Sequence, residues 1–121
     1  TMKYLKDYID GTFKIKSFPN SNVIRYNYNQ GILIVEGSYA EIIGNKIDAN
    51  IKANIAVGGE NSGKTKIKYN LIENSKSEGI FVVEGQDKLL IEENTINNNY
   101  FGIVMIDSKG IVKHNLIVDN Y

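Results

Sequence analysis

Cysteine and tryptophan are absent from this chain, and proline occurs once. Without thiols the protein folds without disulfides and offers a metal no thiolate ligand, while its redox compartment stays open. Neither sign of charge is in excess, since 14 Lys and Arg face 14 Asp and Glu. No single-sign field draws the chain to nucleic acid or to an anionic bilayer, so neither is expected as a partner. Long apolar runs are missing too; none approaches the roughly 18–20 residues that span a membrane. The first residues do not read as a secretory leader, nor would those of a trimmed chain. None of the 16 asparagines opens an Asn-x-Ser/Thr glycosylation site, which tilts the expectation toward a cytoplasmic setting. Phosphate loops, His/Cys metal spacings and nucleophile motifs are likewise missing, so no cofactor is expected.

What the chain does hold is repetition. Isoleucine occurs 19 times, and much of it sits in four copies of one phrase. These are Gly31-Ile32-Leu33-Ile34-Val35, Asn54-Ile55-Ala56-Val57, Gly79-Ile80-Phe81-Val82-Val83 and Gly102-Ile103-Val104-Met105-Ile106, whose first isoleucines lie 23, 25 and 23 residues apart. A second phrase, Asn-x-Ile, recurs at Asn22, Asn45, Asn70, Asn94 and Asn115. A fixed period of this size marks a solenoid, in which each unit buries its apolar side chains against its neighbours.

Within the Gly-Ile phrase apolar residues alternate, the period of a strand. Another apolar position stands three residues before the Asn of the second phrase, at Ile42, Ile67, Ile91 and Val112. Each unit thus supplies three short strands joined by Asn-, Gly- and Ser-rich turns, with no room for a helix. A leucine-rich repeat fits Leu89-x-Ile91-x-x-Asn94-x-Ile96, but its first apolar position falls on Ala40, Thr65 and Gly110 elsewhere. A left-handed β-helix needs a hexapeptide period that is not present. The pattern predicts an all-β, right-handed parallel β-helix of about 4–5 coils with roughly 23 residues each. The longer unit around Gly58–Lys64 reads as an expanded turn.

Two asparagine rows follow from that geometry. Asn22, Asn45, Asn70, Asn94 and Asn115 should stack at one bend, and Asn27, Asn50, Asn99 and Asn120 at another, with Ser75 breaking the second row. Amides satisfy turn backbone and one another, and asparagine tolerates left-handed conformations, so these rows read as structural. Residues 1–11 stand apart: Met2, Leu5, Tyr8 and Ile9 fall at helical spacing, which predicts a capping helix before a β-helix over 12–121. Phe13, Ile15 and Phe18 read as an irregular lead-in. The other end has no comparable device, and the expectation is that the chain is a segment of a longer solenoid.

Ile43-Gly44-Asn45-Lys46-Ile47, Ile91-Glu92-Glu93-Asn94-Thr95-Ile96 and Gly79-Ile80-Phe81-Val82 resemble the right-handed β-helix repeats of the pectin-lyase-like superfamily. Among its branches, the NosD-like repeat proteins and the β-helix region of F-box ubiquitin-ligase receptors are most similar, the latter with repeated hxxNxIxxNxxxGIxV coils. The resemblance spans residues 20–121 and rests on turn and core positions, so it implies a fold and leaves function to the site. Carbohydrate-active members set an Arg, Lys, Tyr or His base beside carboxylates, often with calcium. Here the only arginine and histidine, Arg25 and His114, fall in the first and last full units, and His114 reads as a solvated surface residue.

Glu36, Glu84 and Asp107 follow the Gly-Ile strand at equivalent positions, but only Glu84 and Asp107 would be neighbours, and they read as an acidic corner rather than a calcium site. Asp48 and Glu73 read as surface charge. More unusual is the outward set of the Gly-Ile strand: Leu33, Ala56, Phe81 and Val104 should form an exposed apolar stripe, with Val35, Val83 and Ile106 beside it. Tyr26, Tyr28 and Tyr100 flank the same strands. The expectation is a non-catalytic scaffold that binds a protein partner through Leu33, Phe81, Val104 and Tyr100, as part of a larger protein or assembly, as the F-box branch implies. A carbohydrate-binding or carbohydrate-active β-helix, taking a glycan at Glu84 and Asp107, is the alternative.

Overall fold

A computed structural model describes residues 21–35, 37–59, 64–84 and 88–121. The capping helix expected over 1–11, the lead-in residues and Glu36 lie outside the described residues. Thirteen short strands follow one another: β1 (Val23–Arg25), β2 (Ile32–Ile34), β3 (Glu41–Ile43), β4 (Lys46–Asp48), β5 (Ile55–Gly58), β6 (Lys66–Lys68), β7 (Leu71–Glu73), β8 (Glu78–Val83), β9 (Leu90–Glu92), β10 (Thr95–Asn97), β11 (Phe101–Ile106), β12 (Ile111–Lys113) and β13 (Leu116–Val118). They form three parallel sheets, ordered β1-β4-β7-β10-β13, β2-β5-β8-β11 and β3-β6-β9-β12. Every third strand therefore pairs, and the described residues complete four windings before β13 opens a fifth. No helix among the described residues is long and apolar enough to cross a membrane.

Identical residues stack because the register repeats without slip. Ile32, Ile55, Ile80 and Ile103 are partners along the Gly-Ile sheet, and Ile24, Ile47, Ile72, Ile96 and Ile117 along the Asn-x-Ile sheet. Ile42, Ile67, Ile91 and Val112 make the third column. Side chains from all three sheets meet in one narrow core, with Ile47, Ile67, Ile72, Ile80, Ile91 and Ile96 fully enclosed. β-branched side chains suit these pleated, stacked positions.

The first asparagine row is continuous. Each Nδ2 donates to the Oδ1 one winding later, from Asn22 to Asn45 at 3.1 Å, Asn45 to Asn70 at 3.3 Å, Asn70 to Asn94 at 2.9 Å and Asn94 to Asn115 at 3.0 Å. The second Nδ2 proton turns back, as from Asn70 to the Ile42 carbonyl and from Asn94 to the Ile67 carbonyl, both at 2.8 Å. The ladder residues do not themselves adopt the left-handed conformation. That falls on the residue before each rung except Asn22: Tyr26, Ala49, Asn74 (before Ser75), Asn98 and Asp119 at one bend and Gly44, Tyr69, Glu93 and His114 at the other have φ from 53° to 72°. Each non-glycine there costs roughly 1–2 kcal/mol, which the paired amides help to offset.

The second row is not broken at Ser75. Asn54 fills the rung from the preceding winding. Its Oδ1 accepts from Asn50 Nδ2 at 2.7 Å, and its Nδ2 donates to Asn99 Oδ1 at 3.1 Å and to the Glu73 carbonyl at 2.9 Å. In the other windings Asn54 is replaced by Gly31, Gly79 or Gly102. A Cβ at Gly31 would lie 2.6 Å from Asn50 Nδ2, and one at Gly79 2.8 Å from Asn99 Nδ2. The ladder amide thus needs glycine beneath it, unless the residue beneath is itself the amide. Asn54 with Ser75 is the Gly-with-Asn pair inverted.

This exchange predicts strong coupling. Asn54→Gly strands a buried Asn50 Nδ2 proton and leaves Asn99 Oδ1 with the Ser75 N–H alone, and Ser75→Asn forces a second amide into a filled slot; each should cost about 1–3 kcal/mol. The double variant restores the common rung and should recover most of that loss, so urea denaturation of all four proteins should give a non-additive cycle.

Candidate docking face

The outer surface of the Gly-Ile sheet is built by the same register. Leu33, Ala56, Phe81 and Val104 are partners across β2, β5, β8 and β11, and Gly58, Val83 and Ile106 form the parallel column that Val35 begins. Leu33 is 56% exposed, and Val35 and Ile106 are also exposed. Phe81, Val83 and Val104 are half-buried. Ala56, expected in the exposed stripe, is only 5% exposed; its methyl stands between the larger Leu33 and Phe81 and is overshadowed by them. The stripe is thus two apolar columns with a low second rung.

Tyr100 lies at the edge of this face rather than on it. It occupies the bend before β11, exposed, with its ring edge-on to Phe101 at 4.9 Å and tilted over Tyr121 at 6.5 Å. Main-chain bonds from Ile51 to Asn27, Lys76 to Asn50, Tyr100 to Ser75 and Tyr121 to Asn99 place Ile51, Lys76, Tyr100 and Tyr121 in one corner column. On the far edge Glu84 and Asp107 are both exposed, and the Glu84 N–H donates to the Ile106 carbonyl at 3.1 Å. They occupy adjacent windings, as their spacing implied.

Asp48 and Glu73 correct the sequence reading. Both point outward by alternation, yet they are 6% and 5% exposed and sit side by side in the register. Asn74 donates to Asp48 at 2.7 Å and Asn97 to Glu73 at 3.0 Å. Loss of water, and then the charge of Asp48, push the Glu73 carboxyl above its ordinary value, while Lys46 pulls the other way. Alternation tells which way a side chain points, not whether water reaches it.

A second cluster escaped the sequence reading. The donor atoms of Glu92, Glu93 and His114 lie within 4.8 Å of one another. Spacing carried the signal, because Glu93 and His114 each precede a ladder asparagine and so occupy one column. Lys68 and Lys113 flank Glu92 at 3.4 and 3.6 Å, and His114 Nδ1 is 4.0 Å from it. Partial loss of water raises the Glu92 carboxyl, but the hydrogen bond from Lys68 and the Lys113 and Lys68 charges outweigh it and hold it below its ordinary value. A dication at Glu92 would have to displace two ammonium groups, so the cluster reads as an ion-pair network. Arg25, on β1, stacks over Tyr26 at 5.1 Å and has no part in it.

Parallel sheets wound around one core, with stacked isoleucines and amides, define a β-solenoid. The match to the family model described as the right-handed beta helix region runs over residues 10–121, and the chain belongs to that family. No curated protein and no solved structure matches the chain.

Glu73 makes the stability pH-dependent in a defined sense. A carboxyl raised in the folded state favours folding when protonated. That contribution is complete below the ordinary value of 4.5 and is lost as pH rises through the raised one. Glu73→Gln keeps an oxygen for Asn97 and removes the charge. It should match the parent near pH 4 and exceed it at pH 7 in urea denaturation; an equal change at both would show that the charge is not the cause.

Proposed function

We propose that this chain is a non-catalytic β-helix scaffold whose Gly-Ile sheet docks a protein partner within a larger assembly. The observation that carries the reading is the pair of apolar columns, Leu33 to Val104 and Val35 to Ile106, held in register on an outer face with several members open to water. Contiguous exposed apolar surface of this kind marks interaction sites, and Tyr100 adds an amphipathic ring at its margin. Among the described residues, the nearest approach to a catalytic constellation is His114 with Glu92, whose carboxylate is already engaged by Lys68 and Lys113.

A photo-crosslinking side chain placed at Val35, exposed on the same face, should capture a discrete protein from cell extract, while the same group at Lys113, on another sheet, should not. Leu33→Asp should cut capture by roughly tenfold and leave thermal unfolding nearly unchanged, because the side chain is largely hydrated in the folded state. Equal capture from both positions would remove the reading. A second reading, a glycan-binding face, draws on the gathered rings of Tyr100, Phe101 and Tyr121. Silence in both a glycan array and a calcium titration would eliminate it.

A further inference from the structure

Resting on that docking reading, we infer that the element received by the Gly-Ile sheet is an α-helix lying along the solenoid axis, one turn per winding, with basic residues on the side facing Glu84 and Asp107. The strands of this sheet already spend their backbone groups on one another, since β5 and β8 each have a partner on both sides. An extended peptide laid over the face could not join the ladder and would bury unpaired N–H and C=O groups against Leu33, Phe81 and Val104. A helix satisfies its own backbone and presents only side chains.

Spacing selects the same element. The apolar columns run across the strands, so their repeat is the distance between windings, about 4.8 Å. A helix returns to one face every turn, about 5.4 Å. Over the three steps from Leu33 to Val104 the mismatch accumulates to roughly 2 Å, less than half a rung. An extended chain returns to one face every two residues, roughly 6.6 Å, and would slip by more than a full rung over the same span.

Charge fixes the orientation. One edge of the columns is bounded by exposed Glu84 and Asp107 in consecutive windings, and the other by the corner of Ile51, Lys76, Tyr100 and Tyr121. A helix with Lys or Arg along one side of its apolar stripe sets unlike charges opposite the first edge and leaves apolar contacts for the second. Lys109, two residues past Asp107, weakens that edge without reversing it.

Three fluorescent synthetic peptides of about four helical turns test this. All share one leucine stripe: the first carries lysine along one flank, the second glutamate, and the third is the first with two central prolines. Anisotropy titration against the full chain at low salt should give binding of the first, at least about tenfold weaker binding of the second, and none of the third. Glu84→Lys with Asp107→Lys should reverse the preference between the first two, and Leu33→Asp should abolish binding. Equal binding of the proline peptide would overturn the helix, and equal binding of the acidic peptide the charged edge; in either case sensitivity to Leu33→Asp keeps the docking face. Failure of all three to bind overturns the inference. Binding indifferent to Leu33→Asp overturns the inference and the docking reading together.

Discussion

Each winding is held over the next by an amide slot at two bends, and little in this protein escapes that constraint. A ladder asparagine must place its oxygen under the main-chain N–H and Nδ2 of the previous winding, and its own Nδ2 over the next oxygen. Two such columns fix the rotation of each coil, and with it the register of the isoleucines. The demand reaches outward as well. Gly31, Gly79 and Gly102 are small because an amide or its neighbour occupies the space a Cβ would need. The residues before the ladder accept a left-handed backbone even where they are Tyr26, Tyr69, Ala49 or His114. What looks in the sequence like a Gly-Ile motif and an Asn motif is one interaction seen from its two ends.

Stacking also explains why surface chemistry is organised in columns. In a parallel solenoid a surface is written one residue per winding, so an apolar face such as Leu33 to Val104 is assembled from positions some two dozen residues apart. The same rule assembles the Asp48–Glu73 pair and the Glu92–Lys68–Lys113 network. Neighbouring columns then differ sharply in character without disturbing the core. One sheet carries a hydrated apolar stripe, another an ion-pair network, and the third two dehydrated carboxylates.

Much of this was legible in the sequence because period and alternation are local signals. The three strands per winding, the inward isoleucines and the first ladder followed from spacing alone. The second ladder was legible except at Ser75, where the missing amide comes from Asn54, whose position aligns with glycines in the other windings and so carries no ladder signal. The burial of Asp48 and Glu73 was not legible, because a pattern of two gives direction and not cover. The approach of His114 to Glu92 and Glu93 was available in principle from the position before each ladder asparagine, but a charge network forms only once side chains have lengths and rotamers. Ala56 was misjudged for a related reason: its small size lets its neighbours shield it.

The bonds of the first ladder all point the same way, from the earlier winding to the later. A column of this kind has a sense, like an arrow or a zip, and its two faces are unlike: one offers oxygens, the other hydrogens. Pieces of such a solenoid can be spliced only nose to tail. Setting two like faces together would press hydrogen on hydrogen, or oxygen on oxygen, at the ladder corners, so the one-way threading of the amides disfavours a mirror joint before any apolar contact is considered.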